Sequence, residues 1–259
     1  MTSFKLKFSH LILILAVLNS SCAHLPSSSK VYELKIHGEV GDQERSSIDL
    51  SSETFFYENK ELSHKTVRVL GVKIQSEILE FDSNGNIWVR NSTTEKEGNE
   101  NLHGFGFPEL HEAIDMKLNP YGRVLDVKGF QKDSIFYLPP VLLPTHLVKI
   151  NDSWKETFRW MGEGQPEYLK TTIECTLLDE EDWEGEMVLK IQMIATTTLD
   201  EKNVEFTFSS DSDGYFLWDP KKSVVVYAQS EAKDETKALH AKSSSVTHTK
   251  FISKQIPFF

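Results

Sequence analysis

From residue 31 onward, polar and apolar positions alternate with a period of two over long stretches, the pattern of strands whose two faces differ. Tyr32, Leu34 and Ile36 alternate with Glu33, Lys35 and His37, which predicts a half-buried strand. Three hairpins follow from turn chemistry, and a fourth strand pair is expected across an acidic turn. Residues 80–85 lead into a strand at 86–90, and Asn119-Pro-Tyr-Gly122 places Asn first, Pro second and Gly fourth, as a type I turn prefers. Residues 215–220 turn through Lys221 and Lys222 into 224–228, and 169–178 pairs with 187–197 across the acidic stretch 179–185. Within 67–81 the apolar phase slips near Leu70-Gly71-Val72, predicting a bulge or sharp coil at the glycine. Helix signals are scarce; residues 108–114, with Pro108 at the first position, predict about one or two turns.

Several strands are apolar on both faces at their centres: Phe216 and Trp218 beside Tyr215 and Leu217, Val225 and Tyr227 beside Val224 and Val226. Both faces are therefore expected to be covered. The predicted class is mainly β, with little helix: long antiparallel strands in a strongly curved sheet, open barrel or sandwich. Two loosely similar halves meet near 137–145, where Tyr137-Leu-Pro-Pro-Val-Leu-Leu-Pro144 is apolar and punctuated by proline. Proline bars this segment from the middle of a sheet. It reads as an extended or partly helical crossover, serving either as a core plug or as a flap over an opening.

Ahead of this β-rich part, Lys5 and Lys7 precede an unbroken apolar block from Leu11 to Leu18. A helix crossing a bilayer wants about 20 apolar residues, so the block reads as a signal-peptide core. It ends on Leu18-Asn-Ser-Ser-Cys22. With two small residues before the cysteine, this resembles the bacterial lipoprotein signal, although Asn19 displaces the expected leucine by one place. The resemblance implies a signal at 1–21, diacylglycerol on Cys22, a Ser-rich tether at 22–30 and a single β-rich domain at 31–259. Attachment would be to the membrane through acyl chains, and Ala23 after the cysteine implies the outer membrane, facing periplasm or surface. The competing reading is ordinary cleavage after Ala23, leaving a soluble periplasmic or secreted protein.

Composition narrows the function classes. Hydrophobic residues at 39% supply a packed core, and 39 acidic against 28 basic residues leave a net charge of −11. Nucleic acid is disfavoured, because its binding rests on neutralising phosphates, and so is electrostatic adhesion to anionic headgroups. The other cysteine, Cys175, shares a strand face with Leu169, Thr171, Ile173 and Leu177, which predicts a buried, inert thiol and no disulfide.

No motif has the spacing of a known catalytic, cofactor or metal site, so no catalytic residue, cofactor or metal is predicted. Glu109, His111, Glu112 and Asp115 are the densest acid and histidine group, but on a helix they would point to different faces. The sharper feature is aromatic. Trp154, Phe158 and Trp160 share parity and follow directly on the proline-rich segment. Together with Leu138, Val141 and Leu142 they are the candidate wall of a hydrophobic-ligand cavity; the alternative is core filling.

A lipidated chain of long antiparallel strands with a proline-rich insertion resembles the open-barrel fold of the Lol-system lipoprotein carriers and the mycobacterial cell-wall lipid-binding lipoproteins. The elements Asn119 to Val127 and Asn151-Asp-Ser-Trp154 are also similar to those of uncharacterised bacterial lipoproteins. These resemblances imply a non-catalytic envelope lipoprotein that binds a lipid or other hydrophobic ligand. The alternative is a structural or interaction lipoprotein with a solid core that engages another envelope protein.

Overall fold

The computed structural model describes residues 30–162, 167–201, 205–240 and 242–257. The signal peptide expected at 1–21, and Cys22, lie outside these. Val31–Phe259 is one compact unit, built on β1 (Gln43–Glu58), β2 (Glu61–Phe81), β3 (Ile87–Glu97), β4 (Ala113–Leu118), β5 (Val124–Val127), β6 (Ser153–Met161), β7 (Tyr168–Trp183), β8 (Glu186–Leu199), β9 (Phe206–Asp219), β10 (Val224–Ala238) and β11 (Ser243–Gln255).

All eleven strands join one sheet in the order β5-β4-β3-β2-β1-β11-β10-β9-β8-β7-β6. The chain starts at the sheet centre and walks outward to the β5 edge. It then crosses through residues 128–152 to the opposite edge, β6, and walks back until β11 pairs with β1. The sheet is curved and mainly β as expected, and it does not close. Every neighbouring pair is antiparallel, so an odd number of strands leaves the two edges, β5 and β6, running in the same direction.

The four expected strand pairs form, as β2/β3, β4/β5, β7/β8 and β9/β10, but the acidic stretch 179–183 continues β7 and pairs with β8 as far as Trp183↔Glu186, so that turn shrinks to Glu184 and Gly185. Three further local expectations differ. The segment around Tyr32 makes a single bridge, to Val148, in place of joining the sheet. Its alternation is real, since Tyr32 and Leu34 are buried and Glu33 exposed, but an extended segment crossing the inner face produces the same period as a strand. Gly71 pairs in register with Asp49 and Glu97, and β2 shifts register against β3 at Lys73/Ile74 and Ile78/Glu80. The phase slip comes from Val67 and Val69, which lie exposed on the outer face. Residues 108–114 form no helix: Leu110 bridges Thr93, and β4 begins at Ala113.

The inner face carries the core. The crossover presses Leu142, Leu143 and Val148, with Tyr32 and Leu34, against Ile173, Cys175, Leu177, Leu189, Ile191, Phe216 and Trp218. Leu102 and the half-buried Phe105 and Phe107 of the β3–β4 loop cover Ile48, Leu50, Leu70, Val72 and Ile74. The strands that are apolar on both faces are explained by a second cluster outside. Val188, Leu217 and Val226 are buried there beneath Trp183, Tyr215 and Tyr227, with the Trp183 and Tyr227 rings 5.1 Å apart.

Candidate functional site

The unjoined edges β5 and β6 face each other across a cleft of about 260 Å³. Its position is fixed by the β4–β5 turn. The Asn119 side-chain oxygen accepts from the Tyr121 and Arg123 amides, each at 3.0 Å, closing the turn as its Asn-Pro-x-Gly order requires. Gly122 has φ +82°, and a Cβ there would stand 2.1 Å from the Val141 carbonyl oxygen. Only glycine permits both. The turn is thereby locked to the crossover, with the Leu143 amide donating to the Tyr121 carbonyl at 3.1 Å. Arg123 then reaches across the gap, its Nε donating to Glu156 of β6 at 2.6 Å.

Phe158 and Trp160, from the inner face of β6, and Tyr137 and Leu138, from the crossover, supply aromatic and aliphatic surface to the cleft. Val124 and Leu125 line it from β5, and Arg123, Lys132, Glu156 and Arg159 give it charge. Trp160 and Tyr137 are held by their polar atoms. The Trp160 indole donates to Thr171 Oγ1 at 2.8 Å. The Tyr137 hydroxyl accepts the Val127 amide at 3.1 Å and donates to Asp126 at 3.2 Å; burial, with the Asp126 carboxylate, pushes this phenol above its ordinary pKa. Arg159 is paired with Asp200 and lies over the Tyr168 ring, 3.5 Å from its centroid. At the far end of β6 the Met161 amide donates to the Asp133 carbonyl, and Ser134 makes a single parallel bridge with Met161.

The six residues singled out in the sequence divide between two settings. Leu142 and Trp154 are core, 2% and 9% exposed, and the Trp154 indole donates to the Leu142 carbonyl at 2.9 Å. Val141 is half-buried and packs against the same core. Leu138, Phe158 and Trp160 come together at the cleft. Thus 138–144 spans both of its sequence readings: Leu142 and Leu143 are a plug, and Leu138 borders an opening. Glu156 shares parity with Phe158 and Trp160, a signal that would have placed it at the cleft. Arg123, Leu125 and Lys132 carry no such signal, because they reach β6 only through the apposition of two distant edges.

The acid and histidine group has other work. Glu109 accepts the Leu102 amide at 2.6 Å and pairs with Lys96, while Glu112 bonds the His103 ring at 2.6 Å and the Glu109 amide at 2.7 Å. Burial opposes charge on both carboxyls, yet these donors hold both below the usual range. Asp115 joins Arg90 and Lys128 instead. The group therefore pins the loop that carries Leu102 over the β1–β2 core. Among the described residues no three or more His, Cys, Asp or Glu side chains gather as metal ligands do.

No protein-family model and no curated protein matches the chain. Solved structures that it resembles include the hypothetical lipoprotein YmcC from Escherichia coli (K12), at 9% identity and a TM-score of 0.28, covering 77% of this chain and 85% of that one. The functional reading rests on this chain's own residues.

Proposed function

We propose that this is an exported, lipid-anchored, non-catalytic protein of the bacterial envelope, and that its working surface is the cleft between the sheet edges, where it holds a lipid or other amphipathic ligand. The observation that carries this reading is the lining of the cleft. Aromatic and aliphatic groups that a solid core would bury are left accessible beside Lys132 and the ion-paired Arg123 and Arg159, an arrangement suited to an apolar body with a polar end. Anchoring through Cys22 rests on Ser20, Ser21 and the apolar block before them. One acyl chain binds a membrane marginally and two hold it stably, so a diacylglycerol would suffice.

The test is native mass spectrometry of a soluble form beginning at Ala23, isolated from a bacterial envelope without detergent. The expected result is an added mass that organic extraction removes and that Trp160→Ala reduces. A bare polypeptide mass in every preparation would refute ligand holding. A second reading, an interaction protein with a solid core, is favoured by the filling of the inner face with Leu142, Leu143 and Val148. Crosslinking in intact envelopes, followed by recovery of one defined partner, tests it.

A further inference from the structure

The β6 edge has unused hydrogen-bonding capacity. The Met161 amide points away from β7 to the Asp133 carbonyl, and on the other side of the same pair the Tyr168 carbonyl points away from β6 to the Asp200 amide. The β6–β7 register runs from Ser153↔Thr176 to Met161↔Tyr168 without a shift. The two-residue period of a strand therefore turns the backbone groups of Arg159, Thr157 and Lys155 outward too. Among the described residues no strand pairs with them.

The opposite wall, β5, runs parallel to β6. Direct closure of the sheet would need a parallel pair, whereas one further strand running antiparallel to both would complete an antiparallel ring. The edge already accepts a backbone partner at one point, the bridge from Ser134 to Met161. Its charge says what would fit. Lys155 is exposed, and beside the partnered Arg159 it gives this edge a cationic outer face in a chain of net charge −11. Such charges deter accidental edge pairing and admit a strand that brings carboxylates. Inward positions of the same strand would meet Phe158 and Trp160.

We propose that the cleft receives an extended segment of another protein, alternating acidic and apolar residues, which adds to β6 as a twelfth strand antiparallel to it. Main-chain bonds to Lys155, Thr157 and Arg159 would provide affinity, and the aromatic cleft would select the inward side chains. This rests on the interaction reading and specifies its partner chemistry.

The test titrates the Ala23–Phe259 protein with a short synthetic peptide alternating Glu and Val, reading amide hydrogen exchange and affinity. The Thr157 and Arg159 amides are expected to become protected. Thr157→Pro removes the central outward donor at an edge position where proline is tolerated, and should weaken binding about tenfold, the scale of one or two lost backbone bonds. Lys155→Glu, a surface change, should shift preference to a peptide alternating Lys and Val. No saturable binding, equal binding by Thr157→Pro, or an unaltered preference in Lys155→Glu would overturn the proposal. Thr157→Pro leaves Phe158 and Trp160 in place, so a bound lipid retained by that variant would keep the apolar-ligand reading while strand addition fails.

Discussion

Two rows of side chains cross the same inner face of the sheet, four residues apart on β6, and they have opposite character. One runs through register partners from Trp154 to Cys175, Met193, Gly214, Ser230, Phe251, Leu50 and Leu70. The other runs from Phe158 to Thr171, Thr197, Ser210, Asp234, Thr247, Thr54 and Thr66. Backbone, curvature and period are shared. What differs is cover: at the ends of the first row the crossover and the β3–β4 loop lie over it, and its outer members are aliphatic, sulfur-bearing or aromatic. The second row keeps contact with that core only at its β6 end, where Phe158 packs against it and Thr171 is buried; most of its members are hydroxyls that satisfy one another, Thr171 to Thr197 at 2.8 Å and Thr54 to Thr247 at 3.0 Å. Period-2 alternation says which side chains face inward; only the path of the crossover decides whether inward means dry.

The comparison can be broken most forcefully at the plug. Leu143 is fully buried, and Leu143→Ala should destabilise by about 2–5 kcal/mol, measured by urea unfolding; a loss below about 1 kcal/mol would mean that the first row is not sealed. Trp154→Phe removes the donor to the Leu142 carbonyl and should cost about 1–3 kcal/mol by leaving that acceptor unsatisfied. Alkali acts on the same row. Burial, reinforced by the Glu174 charge, pushes the Cys175 thiol from 9.0 up to about 12. Because the folded value is the higher one, this contribution is intact below pH 9 and is lost as pH rises from 9 towards 12. At pH 10 the loss should be on the order of 1 kcal/mol, absent in Cys175→Ala, and the native thiol should resist alkylation until the chain unfolds.

The second row should respond weakly. Trp160→Phe surrenders one half-buried bond to Thr171 and should cost about 0.5–1 kcal/mol, far less than the same change at Trp154, while lowering ligand occupancy. Replacing Thr54 and Thr247 together by valine removes both partners of a satisfied pair and should change stability by less than about 0.5 kcal/mol. Equal costs for Trp154→Phe and Trp160→Phe would erase the distinction between the rows.

Much of the fold was legible where local chemistry decides it. Asn119, Pro120 and Gly122 specify their turn by themselves, and Cys175 with Ile173 and Leu177 declares a buried face. The Tyr32 segment departs from a sheet strand because alternation does not distinguish a hydrogen-bonded strand from an extended plug, and residues 108–114 depart from a helix because Glu109 and Glu112 serve a loop that no helical period describes. At the cleft, Leu138, Phe158 and Trp160 come from parity and position alone. Arg123 does not, since it meets Glu156 only after four strands have carried it to one edge and the crossover has brought β6 to face it.

The central claim, that β6 is sealed at Trp154 and open for binding at Trp160, is tested most directly by indole N–H resonances in the Ala23–Phe259 protein, with a lipid extract of the bacterial envelope as the added probe. The account predicts that the Trp160 signal, half-buried on its bond to Thr171, exchanges measurably faster than the Trp154 signal and shifts on addition, while the Trp154 signal, buried on its bond to the Leu142 carbonyl, exchanges more slowly and does not move. Equal protection of the two indoles, or no shift at Trp160 at saturating extract, would contradict it.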